Sequence, residues 1–259
     1  MRPRRLTAEL NTAELFARAV RERALAVLTI QQGGDWLTYK SRFLERDAAR
    51  RFFVLDYLPD GDAPLPPLAP GQCVGVSLRQ SSRKYMFASA VEARGQFVID
   101  RDNAIPAIRY RWPDSITELQ RRVYYHTPVP PGLELPVRLW AGGIQARPTD
   151  ADDERALVEG TLMNLSCGGA QVGLDTPLDR PWGADELVGC EITLPDGRGV
   201  LELDAHYRGP RPDSDFGRSL AVQFVGLELG EGGRQKLARL AQCVNRLYRL
   251  GGSQRASGR

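Results

Sequence analysis

Lysine is nearly missing from this chain of 259 residues: Lys40, Lys84 and Lys236 are the only three, which leaves 32 of the 35 cationic side chains as arginine. Histidine occurs twice, at His126 and His206, and the four cysteines (Cys73, Cys167, Cys190, Cys243) stand far apart with no C-x-x-C pair. These scarcities exclude a zinc site of ordinary ligand spacing and argue against a disulfide framework. Four buried, reduced thiols are expected instead. Long apolar runs are also missing. Residues 25–30, among the longest, fall well short of the roughly 20 residues that a membrane helix requires. The basic start Met1-Arg2-Pro3-Arg4-Arg5 is followed by no apolar stretch or cleavage site, so no secretory leader is expected. The expectation is a cytoplasmic protein without membrane insertion.

Charge of one sign is scarce as well. Thirty-five cationic against 32 anionic residues gives +3, too little for general binding to DNA or RNA. Residues 1–117 hold 18 basic and 13 acidic side chains, and the remainder holds 17 and 19. An anion site in the second part therefore has to be built locally.

Catalytic motifs are absent too. Ser166, within Asn164-Leu165-Ser166-Cys167-Gly168-Gly169, does not sit in a G-x-S-x-G elbow. Gly33-Gly34-Asp35-Trp36 lacks the strand–glycine–helix setting of a phosphate loop, and no G-K-[ST] occurs. The carboxylates Asp150, Asp152, Asp153 and Glu154 read as an exposed loop. No catalytic residue and no metal ligand is assigned.

What is present is enough to bury a core: 42% hydrophobic and 26% charged residues. Residues 11–23 read as a helix, with Asn11 as its cap and Leu15, Phe16, Ala19 and Val20 as one apolar stripe. Short β runs follow at 24–30, 37–44, 51–57, 72–78, 85–92 and 96–100, divided by turn clusters such as Gly33-Gly34-Asp35 and Pro59-Asp60-Gly61-Asp62. Arg111-Trp112-Pro113-Asp114-Ser115 breaks the pattern and marks the expected domain boundary. Strand runs resume at 135–139, 158–164, 170–174, 190–194, 201–207 and 220–225. A last helix carries Leu237, Leu240, Val244 and Leu247 at three- and four-residue steps. The expected fold is all-β with flanking helices. Two small antiparallel barrels are expected: a split-barrel-like domain over 1–117 and a six-stranded one over 118–250 that ends in the helix. Residues 251–259 would form a flexible tail.

Two segments rise above this background. Gln120-Arg121-Arg122-Val123-Tyr124-Tyr125-His126 follows the expected boundary, and Asn164-Leu165-Ser166-Cys167-Gly168-Gly169-Ala170 joins two strands. Guanidinium groups donate parallel hydrogen bonds to phosphate oxygens or to the O6/N7 edge of guanine. Asn164 and Ser166 add donors and acceptors, and Gly168-Gly169 allow close backbone approach.

Arg122-x-x-x-His126 followed by Asn164-x-Ser166-x-x-Gly169 resembles the PilZ domain, whose signature is R-x-x-x-R followed by [D/N]-x-S-x-x-G. The strand run 219–227 and the amphipathic helix after it are similar to that family's closing elements. The β-rich region before residue 118 is similar in layout to the first domain of YcgR-type flagellar brake proteins. The resemblance implies a six-stranded barrel that binds cyclic di-GMP, with no further cofactor. Arg121 and Arg122 would grip guanine edges and phosphates, while Asn164 and Ser166 bond to the nucleotide over a turn shaped by Gly168 and Gly169. Binding would reorient the two domains to control a protein partner, such as flagellar motor or switch proteins at the basal body. His126 stands where the family has its second arginine and so offers a weaker ligand contact. The alternative implied by that departure is a PilZ protein that no longer binds nucleotide and serves as an interaction scaffold.

Overall fold

The computed structural model describes residues 4–6, 9–58, 67–81, 83–120, 126–149, 157–178, 180–195, 199–211 and 218–257. Arg121, Arg122, Tyr124 and Tyr125, the turn 59–62 and the acidic residues 150–155 lie outside them. The chain divides into two units. One comprises Pro3–Arg121 with Glu228–Arg234, and the other Met1–Arg2, Arg122–Leu227 and Gln235–Arg259.

In the first unit, strand β1 (Arg4–Leu6) precedes helix α1 (Glu9–Arg21), which starts two residues before the expected cap Asn11. The helix ends where Arg23 takes a left-handed φ of 45° and the N–H of Ala24 turns back to the carbonyl of Ala19 at 2.8 Å. Strands β2 (Leu25–Gln32) and β3 (Asp35–Asp47) form a hairpin over Gly33 and Gly34, both with positive φ, as a two-residue turn between twisted strands requires. Then come β4 (Phe52–Asp56), β5 (Cys73–Gln80), β6 (Arg83–Val98), β7 (Ala104–Arg111) and β8 (Ile116–Gln120). The sheet order is β1-β8-β6-β5-β2-β3-β4-β7, and a β6–β7 pairing returns the sequence of pairings to itself. Phe16 is fully buried at its centre, with ring centroids of Phe43, Phe53, Phe87 and Trp112 4.7–5.5 Å away.

The expectation of two small barrels is corrected by this pairing. β3 pairs with β2 as far as Arg42 and with β4 from Phe43 on, across a register shift between Phe43 and Glu45. β6 pairs with β5 as far as Ala90 and with β7 from Val91 on, across a shift between Val91 and Ala93. At no level do six strands lie side by side. The ring consists of two ladders joined end to end by two long bulged strands, which is not a barrel. The runs expected at 85–92 and 96–100 are one strand, because a bulge bends the chain without ending it. Segment 111–115 belongs to this unit: Trp112 is buried and its N–H reaches the carbonyl of Arg51 at 2.8 Å. Cys73 is exposed, contrary to expectation, while the other three cysteines are buried.

The second unit does close. Its strands are β9 (Thr127–Pro128), β10 (Pro136–Ala141), β11 (Val158–Ser166), β12 (Gly169–Leu174), β13 (Leu187–Thr193), β14 (Val200–Pro210) and β15 (Ser219–Phe224). The order β10-β13-β14-β15-β12-β11 is completed by β10–β11, giving one closed six-stranded antiparallel barrel with β9 on the outer edge of β11. Here β10 serves both neighbours over the same residues, Val137 to Leu139, so closure is complete at one level. Alternate residues fill the interior: Val137, Leu139, Ala170, Val172, Val188, Cys190, Ile192, Leu203, Ala205, Leu220 and Val222 are all buried.

Helix α2 (Gly230–Ser257) buries the expected stripe Leu237, Leu240, Val244 and Leu247. It continues through Gly251 to Ser257, where a tail was expected. No helix among the described residues is long and apolar enough to cross a membrane.

Candidate functional site

The site is built on the hairpin between β11 and β12. Ser166 pairs with Gly169 across a two-residue turn, Cys167 and Gly168. The Ser166 hydroxyl donates to the carbonyl of Gly169 at 3.1 Å and accepts from the N–H of Gly168 at 3.2 Å, locking the turn from within. Gly169 also has a task inside the barrel. A Cβ there would lie 2.3 Å from the carbonyl oxygen of Val222 on β15, so the glycine permits two strands to approach.

A bulge aims Asn164. Leu162 pairs with Val172, Asn164 pairs with Gln171, and the register shifts between them at Met163. Without the extra residue Asn164 would share the inward face with Leu162. With it, Leu162 and Leu165 both point into the barrel and Asn164 lies on the opposite face, half-buried. The carbonyl of Met163, freed from the β12 ladder, accepts from the N–H of Val129 at 2.9 Å. That bond and the pairings Thr127–Leu165 and Pro128–Asn164 hold the segment carrying His126 along β11.

His126 consequently meets the motif. Its Nδ1 lies 2.6 Å from Oδ1 of Asn164, while the ring is exposed. The other end of the Asn164 amide donates from Nδ2 to Oε1 of Gln171 at 2.7 Å, and Nε2 of Gln171 donates to Oγ of Ser219 at 3.0 Å. The Ser219 hydroxyl donates to the carbonyl of Arg211 at 2.9 Å. Further along the same face, Arg208 donates from Nε to Oε1 of Gln223 at 3.0 Å and pairs with Asp185.

Of the residues singled out in the sequence, His126, Asn164, Ser166, Gly168 and Gly169 are thus adjacent, within one unit. Arg121 and Arg122 lie outside the described residues. Gln171 and Ser219 were missed. Gln171 stands two residues past the motif glycine, the spacing that returns a strand to the same face, and that was the available signal. Among the described residues no group of three or more His, Cys, Asp or Glu could hold a metal ion.

No curated protein sequence matches the chain. Among solved structures, K. pneumonia MrkH in its apo state is similar in fold over 97% of this chain and 99% of that one, with a TM-score of 0.50 and 14% identity. A second crystal of K. pneumonia MrkH gives 0.50 and 14% over 96% of each chain. YcgR from Escherichia coli, in complex with c-di-GMP, aligns over 98% of this chain and 97% of its own, at 18% identity and a TM-score of 0.35. In sequence, the stretch that begins after His126 and encloses the β11–β12 turn, residues 143–242, matches the PilZ domain family.

Proposed function

We propose that this chain is a cytoplasmic, non-catalytic receptor for cyclic di-GMP. The nucleotide would sit on the β11–β12 turn, with Arg121 and Arg122 closing over it and His126, Asn164, Ser166, Gly168 and Gly169 beneath. The observation that carries the reading is the 2.6 Å approach of His126 to Asn164. It brings His126 of the first half of a split motif against Asn164 of the second, 38 residues on, and the second half lies in the stretch that matches the PilZ domain. Nucleotide binding would reorient the 1–117 and 118–250 domains and so switch a contact with a protein partner, with flagellar motor or switch proteins at the basal body as the first candidates. Such a switch needs the closed arrangement to bind nucleotide more tightly than the open one.

One observation favours a second reading, a scaffold that binds no nucleotide. The imidazole and the Asn164 amide already bond to each other, and a neutral imidazole offers one donor where arginine offers a fork. Calorimetric titration with cyclic di-GMP separates the two. Receptor function predicts binding that Arg122→Ala abolishes. His126→Arg should tighten it by roughly 5- to 150-fold, the worth of a bidentate contact of about 1–3 kcal/mol. Indifference to both substitutions would show that the site lies elsewhere.

A further inference from the structure

The polar chain behind Asn164 has a definite proton order, and the order is set at its far end. A backbone carbonyl only accepts, so the single proton of the Ser219 hydroxyl is committed to Arg211 at 2.9 Å. Ser219 Oγ must then accept from Gln171, which puts the amide nitrogen of Gln171 toward Ser219 and its oxygen toward Asn164. That oxygen in turn requires the Asn164 nitrogen, which leaves the Asn164 oxygen facing His126. An oxygen 2.6 Å from Nδ1 demands that Nδ1 carry the proton. Both amide orientations and the histidine tautomer therefore follow from one carbonyl, where ordinarily they are free assignments.

The consequence falls on the exposed atom of the ring. With Nδ1–H committed to Asn164, a neutral His126 presents Nε2 as a bare lone pair. It repels a phosphate oxygen or the acceptor edge of guanine. Only the imidazolium has donors on both nitrogens and can hold Asn164 and an anionic ligand together.

We propose that Gln171 and Ser219 are positioning residues that fix His126 in its Nδ1–H form, so that anionic nucleotide binding requires uptake of one proton at Nε2. This rests on the receptor reading above and adds its regulation: the site is a coincidence detector for cyclic dinucleotide and acidity. Around the His126–Asn164 pair the side chains contributed by β11, β12 and β15 are neutral: Asn164, Ser166, Gln171, Ser219 and Gln223. Cys167, within the turn, and His206, opposite Gln223 on β14, are buried. Charged groups described on the outer face of the barrel are Arg208 with Asp185, the exposed Arg211 and Arg218 beside Ser219 and, farther along β11, Glu159 with Arg138.

Two measurements test the proposal. Nitrogen-15 NMR of the unliganded protein resolves just two histidines, and His126→Gln identifies which signals belong to His126. The expected spectrum above neutrality shows His126 protonated at Nδ1 and bare at Nε2; an Nε2–H form overturns the proposal without any ligand. Calorimetry with cyclic di-GMP then reads the linkage. Phosphodiesters do not titrate in this range, and binding that takes up one proton weakens by up to tenfold per pH unit, so affinity should fall by more than about tenfold between pH 5.5 and 8.0. Gln171→Leu frees the Asn164 amide to turn over and accommodate the Nε2–H tautomer, which donates while neutral, so the dependence should flatten to within about threefold. His126→Arg should flatten it likewise. Equal affinity at both pH values in the unmodified protein, or an undiminished slope in Gln171→Leu, overturns the linkage alone. No binding even at pH 5.5 overturns the receptor reading and the linkage with it, while the tautomer is still read by NMR.

Discussion

Gly169 occupies the motif's glycine position, and the strand packed against it accounts for the missing Cβ. Its φ is not among the positive values, so an L-residue fits the backbone. The obstacle is Val222: a Cβ on residue 169 would stand 2.3 Å from that carbonyl oxygen and 3.3 Å from the Cα of Gln223. Both are main-chain atoms that no rotamer can move. Restoring ordinary contact requires β12 and β15 to part by roughly 1 Å at the mouth of the hairpin. That separation strains the bond from the N–H of Phe224 to the carbonyl of Gly168, now 3.0 Å, and the Ser166 hydroxyl bond to Gly169 at 3.1 Å. Overpacking costs about 1–3 kcal/mol and each weakened hydrogen bond up to about 1 more, so Gly169→Ala should destabilise the barrel by about 3 kcal/mol. Urea unfolding followed by tryptophan fluorescence, to which the buried Trp140 and Trp182 of this unit contribute, is the assay. With a slope of about 2 kcal/mol per M, the midpoint should drop by roughly 1.5 M. A variant as stable as its parent that has lost cyclic di-GMP binding would refute the argument. It would mean the missing Cβ makes room for ligand and not for β15.

Two further perturbations probe the rest of the molecule. Phe16→Ala removes a fully buried ring enclosed by four aromatic neighbours and should cost the first unit about 3–5 kcal/mol, read as loss of amide-exchange protection in β3, β4 and β6. Thiol labelling of the native protein should modify Cys73 and spare Cys167, Cys190 and Cys243. The reaction should be slow even there, because partial burial pushes the Cys73 thiol above its ordinary pKa and keeps it protonated at neutral pH; prompt labelling of all four would mean that the barrel interior opens.

Features that depend on near neighbours in the chain were legible in the sequence. The helix stripe Leu237, Leu240, Val244 and Leu247, the Gly33-Gly34 turn and the hairpin strands around Ser166 each follow from a periodicity or a turn residue within a few positions. Strand β7 is not among the expected runs, and it contains Pro106, which lacks a ladder donor. The proline is tolerated because it lies past Ala107, the last residue that pairs with β4. Whether a set of strands makes a barrel or two joined ladders was not legible. That depends on where β3 and β6 change partners, and each change is a one-residue shift of register between residues of unremarkable type.

The candidate site divides along the same line. Asn164, Ser166 and Gly169 are a local motif, and that the segment at His126 joins them is implied by the resemblance to the PilZ domain rather than by anything within a few positions. Which face Asn164 shows could not be read from the sequence, because the bulge at Met163 reverses the parity of the strand and nothing in Leu162-Met163-Asn164 announces it. Nor could the donor order, which reaches Asn164 through Gln171 and Ser219 from a carbonyl three strands away in pairing order. A substitution that looks conservative in the sequence, histidine for arginine, therefore has a sign that only the fold supplies. Behind a different partner the same imidazole would donate outward while neutral, and the pH dependence proposed for this site would vanish.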